Sequence, residues 1–107
     1  MAGDGWPQIV GLYDLLLRRR PDPVAALNRA VAVGFAAGPR AGLAAVDALA
    51  DEPALACYPY WALARGEFLE RLGRVAEARA AYEEALAFTG NEVERASVRN
   101  RIAGLPG

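Results

Sequence analysis

Apolar positions recur with a helical period along nearly the whole chain. Residues 8–20 place Ile9, Leu12, Tyr13, Leu16 and Leu17 on one stripe, spaced by three and four. Beyond them the pattern repeats once, at a shift of 36 residues. PVAALNRAVAV (23–33) then lies over PYWALARGEFL (59–69), so that Pro23 meets Pro59, Ala26 meets Ala62, Leu27 meets Leu63 and Arg29 meets Arg65. The same shift sets AGLAAVDAL (41–49) over EARAAYEEA (77–85), with Ala44 and Ala45 on Ala80 and Ala81, and Val46 on Tyr82. Each copy reads as a helical hairpin, and the chain as six helices: 7–20, 23–37, 39–51, 57–72, 75–88 and 92–104. The segment DEPALAC joins the hairpins.

Local signals support these boundaries. Pro23 and Pro59 suit a first helical turn, where the missing N–H costs nothing. Asp22 precedes Pro23 as an N-cap, and Asn91 with Glu94 three residues on has the form of a capping box. Gly38 and Gly73 end the first helix of each copy, where the chain needs a left-handed backbone. Small residues at Ala30, Gly42, Gly66 and Ala78 let the two helices of a hairpin approach closely, and larger ones there would cost roughly 1–3 kcal/mol of overpacking. Aligning Tyr13 with Tyr82 makes 7–20 the second helix of a truncated preceding repeat, followed by repeats at 23–51 and 57–88. The last helix, polar with Val93, Val98 and Ile102 turned inward, covers the other end as a cap.

Composition narrows the function. The 107 residues suit one small domain, and 54% hydrophobic content rests largely on alanine. A net charge of −1 offers no global field for nucleic acid or membrane. All 12 basic residues are Arg, which with abundant Ala, Gly and Pro reads as high-G+C bacterial coding. No apolar run nears the ~20 residues of a membrane span, and MAGDGWPQ lacks a signal-peptide core, so the chain reads as cytoplasmic. One Cys (Cys57) and no His exclude an internal disulfide, the usual zinc sets, and Ser–His or Cys–His pairs. No Gly-rich phosphate loop is present, and Glu83 and Glu84 face different directions on one helix. The residues describe a non-enzyme without cofactor or metal.

RLGRVAEARAAYEEAL (71–86) and its flanks resemble the tetratricopeptide repeat: Gly66, Gly73, Ala78, Tyr82 and Ala85 fall where that repeat expects Gly, Gly, Ala, an aromatic and Ala. The chain departs where Ala62 holds the usual Trp position and Gly90 the closing Pro. A narrower resemblance covers nearly everything. WPQIVGLYDLLL, PDPVAALNRAVAV, GPRAGLAAVDAL, LARGEFLERLGRVAEARAAYEEAL and GNEVERASVRNRIAGL are similar, in that order, to the C-terminal tetratricopeptide-like extension of bacterial extracytoplasmic-function sigma factors. LNRAVAV followed by the GPRAGL turn is its most specific part. The resemblance implies an all-α, right-handed stack of antiparallel hairpins with capping helices at both ends. It also implies a fragment whose partners are upstream sigma-factor regions, RNA polymerase core, or both, with no direct nucleic-acid or membrane contact. The alternatives are a stand-alone adaptor holding a partner peptide in its concave groove, and a homodimer formed through end helices.

In such repeats the first helix of each hairpin faces the concave side. That nominates Val24, Leu27, Asn28, Val31 and Phe35 in one copy, and Tyr60, Leu63, Glu67, Glu70 and Arg71 in the other, as a protein-binding groove. Arg29 and Arg65 hold equivalent places among aliphatic neighbours. This favours structural ion pairs, with Asp14, Asp47 and Glu83 as candidate partners, over a clamp on an acidic ligand. Arg18, Arg19 and Arg20 suit a helix C-terminus. Glu67–Arg71 and Glu70–Arg74 have the stabilising i,i+4 order of a solvated face. Trp6, Tyr58, Tyr60 and Trp61 are the aromatics available for an exposed patch.

Overall fold

The computed structural model describes residues 5–107; the opening residues 1–4, on which the reading of no signal peptide partly rests, lie outside them. The described residues form six α-helices, one short 3₁₀ helix and no strand, so the protein is all-α. The chain divides into two compact units, one ending at Ala56 and the other running from Cys57 to Gly107. The first holds α1 (Trp6–Arg19), α2 (Pro23–Ala37), α3 (Pro39–Asp47) and the 3₁₀ turn Pro53–Leu55. The second holds α4 (Pro59–Arg71), α5 (Val75–Phe88) and α6 (Glu92–Ala103).

Helix boundaries follow local chemistry. The Asp22 carboxylate accepts hydrogen bonds from the Val24 and Ala25 amides at 3.0 and 3.4 Å. Asn91 does the same for Val93 and Glu94 at 2.9 and 3.1 Å. Each satisfies amides that a helix start leaves unpaired, a contribution of about 1 kcal/mol. Gly38 and Gly73 sit at φ 103° and 76°, a region that L side chains rarely enter, which lets the chain reverse through the single residue Gly38 and through the short link Leu72, Gly73 and Arg74. One boundary differs from the sequence reading: α3 stops at Asp47 instead of 51. The following amides tighten into i→i−3 bonds (Leu49 to Val46, Ala50 to Asp47, Glu52 to Leu49), and Pro53 holds Glu52 in an extended conformation.

In the first unit α2 packs against α1 and α3. Its core is Leu27, Ala30, Ala32 and Gly34 of α2 with Gly42, Leu43 and Val46 of α3, closed by Leu55 of the 3₁₀ turn, which is 2% exposed. The α1 contact departs from expectation. Helix α1 meets α2 along the half-buried line Trp6, Val10, Tyr13, Asp14 and Leu17, while Ile9, Leu12, Leu15 and Leu16 stay exposed, Leu12 by 58%. Trp6 stacks on Phe35 of α2 at 4.7 Å between ring centroids. Asp14 accepts from Arg29 at 2.6 Å, so the expected ion pair forms. It is not buried, however: the two side chains keep 36% and 42% exposure, and such a pair contributes about 0–1 kcal/mol.

In the second unit α5 packs against both α4 and α6. Tyr82 of α5 is wholly buried, and its ring lies over Gly66 of α4. A Cβ on Gly66 would stand 2.7 and 2.8 Å from two Tyr82 ring carbons, so the glycine is what allows the contact. The Tyr82 hydroxyl donates to Glu70 at 2.7 Å, which satisfies the one polar atom this ring carries inward. Helix α6 turns Val98 inward at 4% exposure with Ile102 half-buried, whereas Val93, expected beside them, is 80% exposed. At 100° per residue Val93 lies 140° around the helix from Val98, so the two cannot share a face.

Gly66→Ala should lower stability by roughly 1–3 kcal/mol in thermal or urea unfolding, although Ala is intrinsically the better helix former. In a Tyr82→Leu background the penalty should shrink or change sign. Equal penalties in both backgrounds would rule out the ring contact as the cause.

Candidate functional site

The corner between α5 and α6 sets the site. Thr89, buried just past α5, donates its hydroxyl to the Ala85 carbonyl at 2.6 Å. Arg95 of α6 reaches back to the carbonyls of Leu86 and Thr89 at 2.6 and 3.0 Å. A cation thus meets the last free carbonyls of α5, where the helix dipole favours it. Glu92 holds Arg99 at 3.1 Å along the outer face of α6. The corner brings α6 alongside the start of α4, where Tyr60 donates its hydroxyl to Glu94 at 2.7 Å. Glu94 was expected to close a capping box with Asn91; its carboxylate instead serves this contact between helices.

Between these helices lies a cleft of about 130 Å³. Pro59, Leu63, Ala85 and Val98 supply its apolar wall, and Tyr60, Thr89, Glu94, Ser97 and Arg101 its polar edge. The carboxylate of Glu94 holds the Tyr60 proton and raises that phenol above its ordinary value. Tyr58 packs edge-on against the Tyr60 ring at 5.2 Å, fixing a side chain that is 43% exposed at the cleft mouth. Arg101 extends toward the hydroxyl of Tyr82, where its positive charge works against the rise caused by burial and Glu70. The cleft therefore offers an apolar floor, an acid at one edge and a cation at the other. That arrangement suits a side chain with an apolar body and a polar tip.

The expected groove residues part company. Tyr60 and Leu63 line the cleft. Glu67 pairs with Arg71 at 3.0 Å on an exposed face, and Glu70 serves Tyr82. In the first unit Leu27 is only 2% exposed: it is a core residue of the α2 packing and presents no surface to a ligand. Val31 is half-buried, Val24 and Asn28 are exposed, and Phe35 is stacked by Trp6. Arg65 is half-buried. Arg74 grips Glu77 through two nitrogens at 2.8 and 2.7 Å; these bonds hold the Glu77 carboxyl below the usual carboxylate range, with burial opposing and the charges of Arg74 and Arg65 assisting. The residues that sequence reasoning missed are Glu94, Ser97, Val98 and Arg101. Their signal was the Asn91 N-cap, which starts α6 at Glu92 and sets these four residues at helical spacing along it.

Burial, reinforced by the Glu70 hydrogen bond, pushes the Tyr82 phenol up to about 12 from an ordinary value near 10. The folded state thus holds this proton longer than the unfolded state does. The associated stability is complete below pH 10 and is lost as pH rises toward 12. Ultraviolet titration should show one of the four tyrosines ionising near pH 12 or only on unfolding, and Tyr82→Phe should remove that late step. Four tyrosines titrating together near pH 10 would contradict the assignment.

No family model matches the chain, and no solved structure matches it. An uncharacterized protein of Rhizobium meliloti (strain 1021) is 43% identical over 97 residues, which cover 91% of this chain. The matched stretch is 22% of that relative, so the chain spans about a fifth of the length of the relative it matches. Among the described residues no helix is long and apolar enough to cross a membrane.

Proposed function

We propose that this chain is a tetratricopeptide-like interaction domain, and that it serves as the accessory C-terminal part of an extracytoplasmic-function sigma factor, acting through protein contacts. The observation that carries the interaction reading is the α4–α6 cleft: an apolar floor of Leu63 and Val98 edged by Glu94 and Arg101. In such repeats a bound peptide runs along the first helices of the hairpins, and a cleft flanked by α4 and α6 supports that reading. The sigma-factor reading rests on the ordered match from WPQIVGLYDLLL to GNEVERASVRNRIAGL. A relative far longer than the matched stretch fits a domain carried within a larger protein. The partner surface is then an exposed segment of the sigma regions or of polymerase core, presenting an apolar residue to the cleft. The domain itself tunes initiation by holding or presenting those regions, without chemistry of its own.

Binding of the domain to the sigma regions encoded upstream of it, and to polymerase core, should be measurable by surface plasmon resonance. Tyr60→Ala combined with Leu63→Ser should weaken that binding by about tenfold or more, roughly 1.4 kcal/mol, with the fold judged intact by circular dichroism. Binding that both substitutions leave unchanged would remove the cleft from the account. An upstream gene segment without sigma regions would remove the transcription reading and leave a stand-alone adaptor.

A further inference from the structure

Helix α1 exposes the stripe that its counterparts bury. Setting Tyr13 on Tyr82 aligns Ile9, Leu12, Tyr13 and Leu16 with Ala78, Ala81, Tyr82 and Ala85, which are the four buried residues of α5. In α5 that face is covered in part by α4, whose Gly66 receives the Tyr82 ring. In α3 the equivalent residues Gly42 and Val46 are buried in a unit where α2 is the packing partner. Helix α1 has no such partner preceding it among the described residues, and Ile9, Leu12 and Leu16 are 37%, 58% and 51% exposed. We infer that this stripe is the docking face for an antiparallel helix of first-helix type, supplied in cis by polypeptide flanking the domain.

The register specifies the chemistry of that helix. Tyr13 is half-buried along the α2 line, and by the register of Gly66 against Tyr82 its remaining open edge calls for Gly or Ala on the docking helix. Its first turn lies beside the C-terminal end of α1, where Arg18, Arg19 and Arg20 cluster, so acidic residues there complement both the arginines and the helix's own positive end. A second copy of this chain fits poorly. An antiparallel α1–α1 pair would set each Arg run against the positive end of the other helix, and α1 has no acid in its first turn to offset it. Helix α6 is no better a receiver: counted from its first residue as Gly66 is from the start of α4, the small-residue position falls on Arg99. A relative whose chain extends far beyond the matched region has room for such a helix. The inference rests on the repeat register and is independent of the transcription reading.

The test grafts a copy of residues 59–73, carrying Tyr60→Glu within the copy to supply the first-turn acid, directly before residue 5, which reproduces the α4–α5 connection in front of α1. The extended chain should melt higher by about 5 °C or more. Leu12→Glu should abolish that gain while leaving the unextended protein within about 1 °C of its original Tm, as an exposed position should. Placing Leu at the grafted copy of Gly66 should also abolish it. Sedimentation of the unextended protein should give a monomer across micromolar concentrations. No gain from a graft whose helix content rises as expected would overturn the proposal, and so would a concentration-dependent dimer lost on Leu12→Glu. Neither result would disturb the pairing of α4 with α5, so the repeat reading stands or falls separately.

Discussion

A tyrosine ring pressed against a glycine holds the second hairpin together. Tyr82 is fully buried, and two of its ring carbons lie within 2.8 Å of where a Gly66 Cβ would stand. That contact fixes how closely α4 and α5 approach, and the Glu70 hydrogen bond makes the buried hydroxyl tolerable. Buried Leu69, Ala78, Ala81 and Ala85 then fill the space around it. In an alanine-rich chain there are few bulky side chains to average over, so one large ring in one small-residue notch carries an unusual share of the specificity. The 36-residue shift sets Ala30 of α2 and Val46 of α3 on Gly66 and Tyr82, and both are buried in the first hairpin, exposed by 1% and 0%.

The cleft is a consequence of that spacing. With α5 held against α4, its C-terminal end fixes where α6 can begin, through Thr89 and the Arg95 bonds to Leu86 and Thr89. Helix α6 then lies beside α4 closely enough for Tyr60 to meet Glu94, and the remaining gap over Leu63 and Val98 is the cleft. Ser97 stands at its edge between Glu94 and Arg101 along α6. Its lining joins an apolar floor to an acid and a cation that can orient a polar group.

The six helices were legible because their signals are local: two N-cap carboxamide or carboxylate groups, prolines at first turns, and glycines at positive φ. The 36-residue shift sets Ala30 on Gly66 and Val46 on Tyr82, and all four are buried. Which side of a stripe touches its neighbour was not legible. Val10 and Leu17 face α2 while Leu12 and Leu16 do not, since hydropathy marks an apolar face without saying which helix covers it. Leu27 was assigned to a groove by analogy of position, yet it is only 2% exposed on α2, a helix packed against α1, α3 and the 3₁₀ turn. Arg101 and Glu94 were hidden because a polar helix reads as a solvated cap until its neighbour's position is known.

The central claim is that both hairpins are built on one small-against-large contact in the same register. It is tested by moving the second hairpin's pair into the first and measuring unfolding free energies for the four members of the cycle. Val46→Tyr alone should destabilise by roughly 1–3 kcal/mol through overpacking, and Ala30→Gly alone by about 1 kcal/mol as a helix glycine. Together they should cost less than the sum by about 1 kcal/mol or more, because the glycine opens the notch that the ring needs. Strict additivity of the two changes would contradict the shared register.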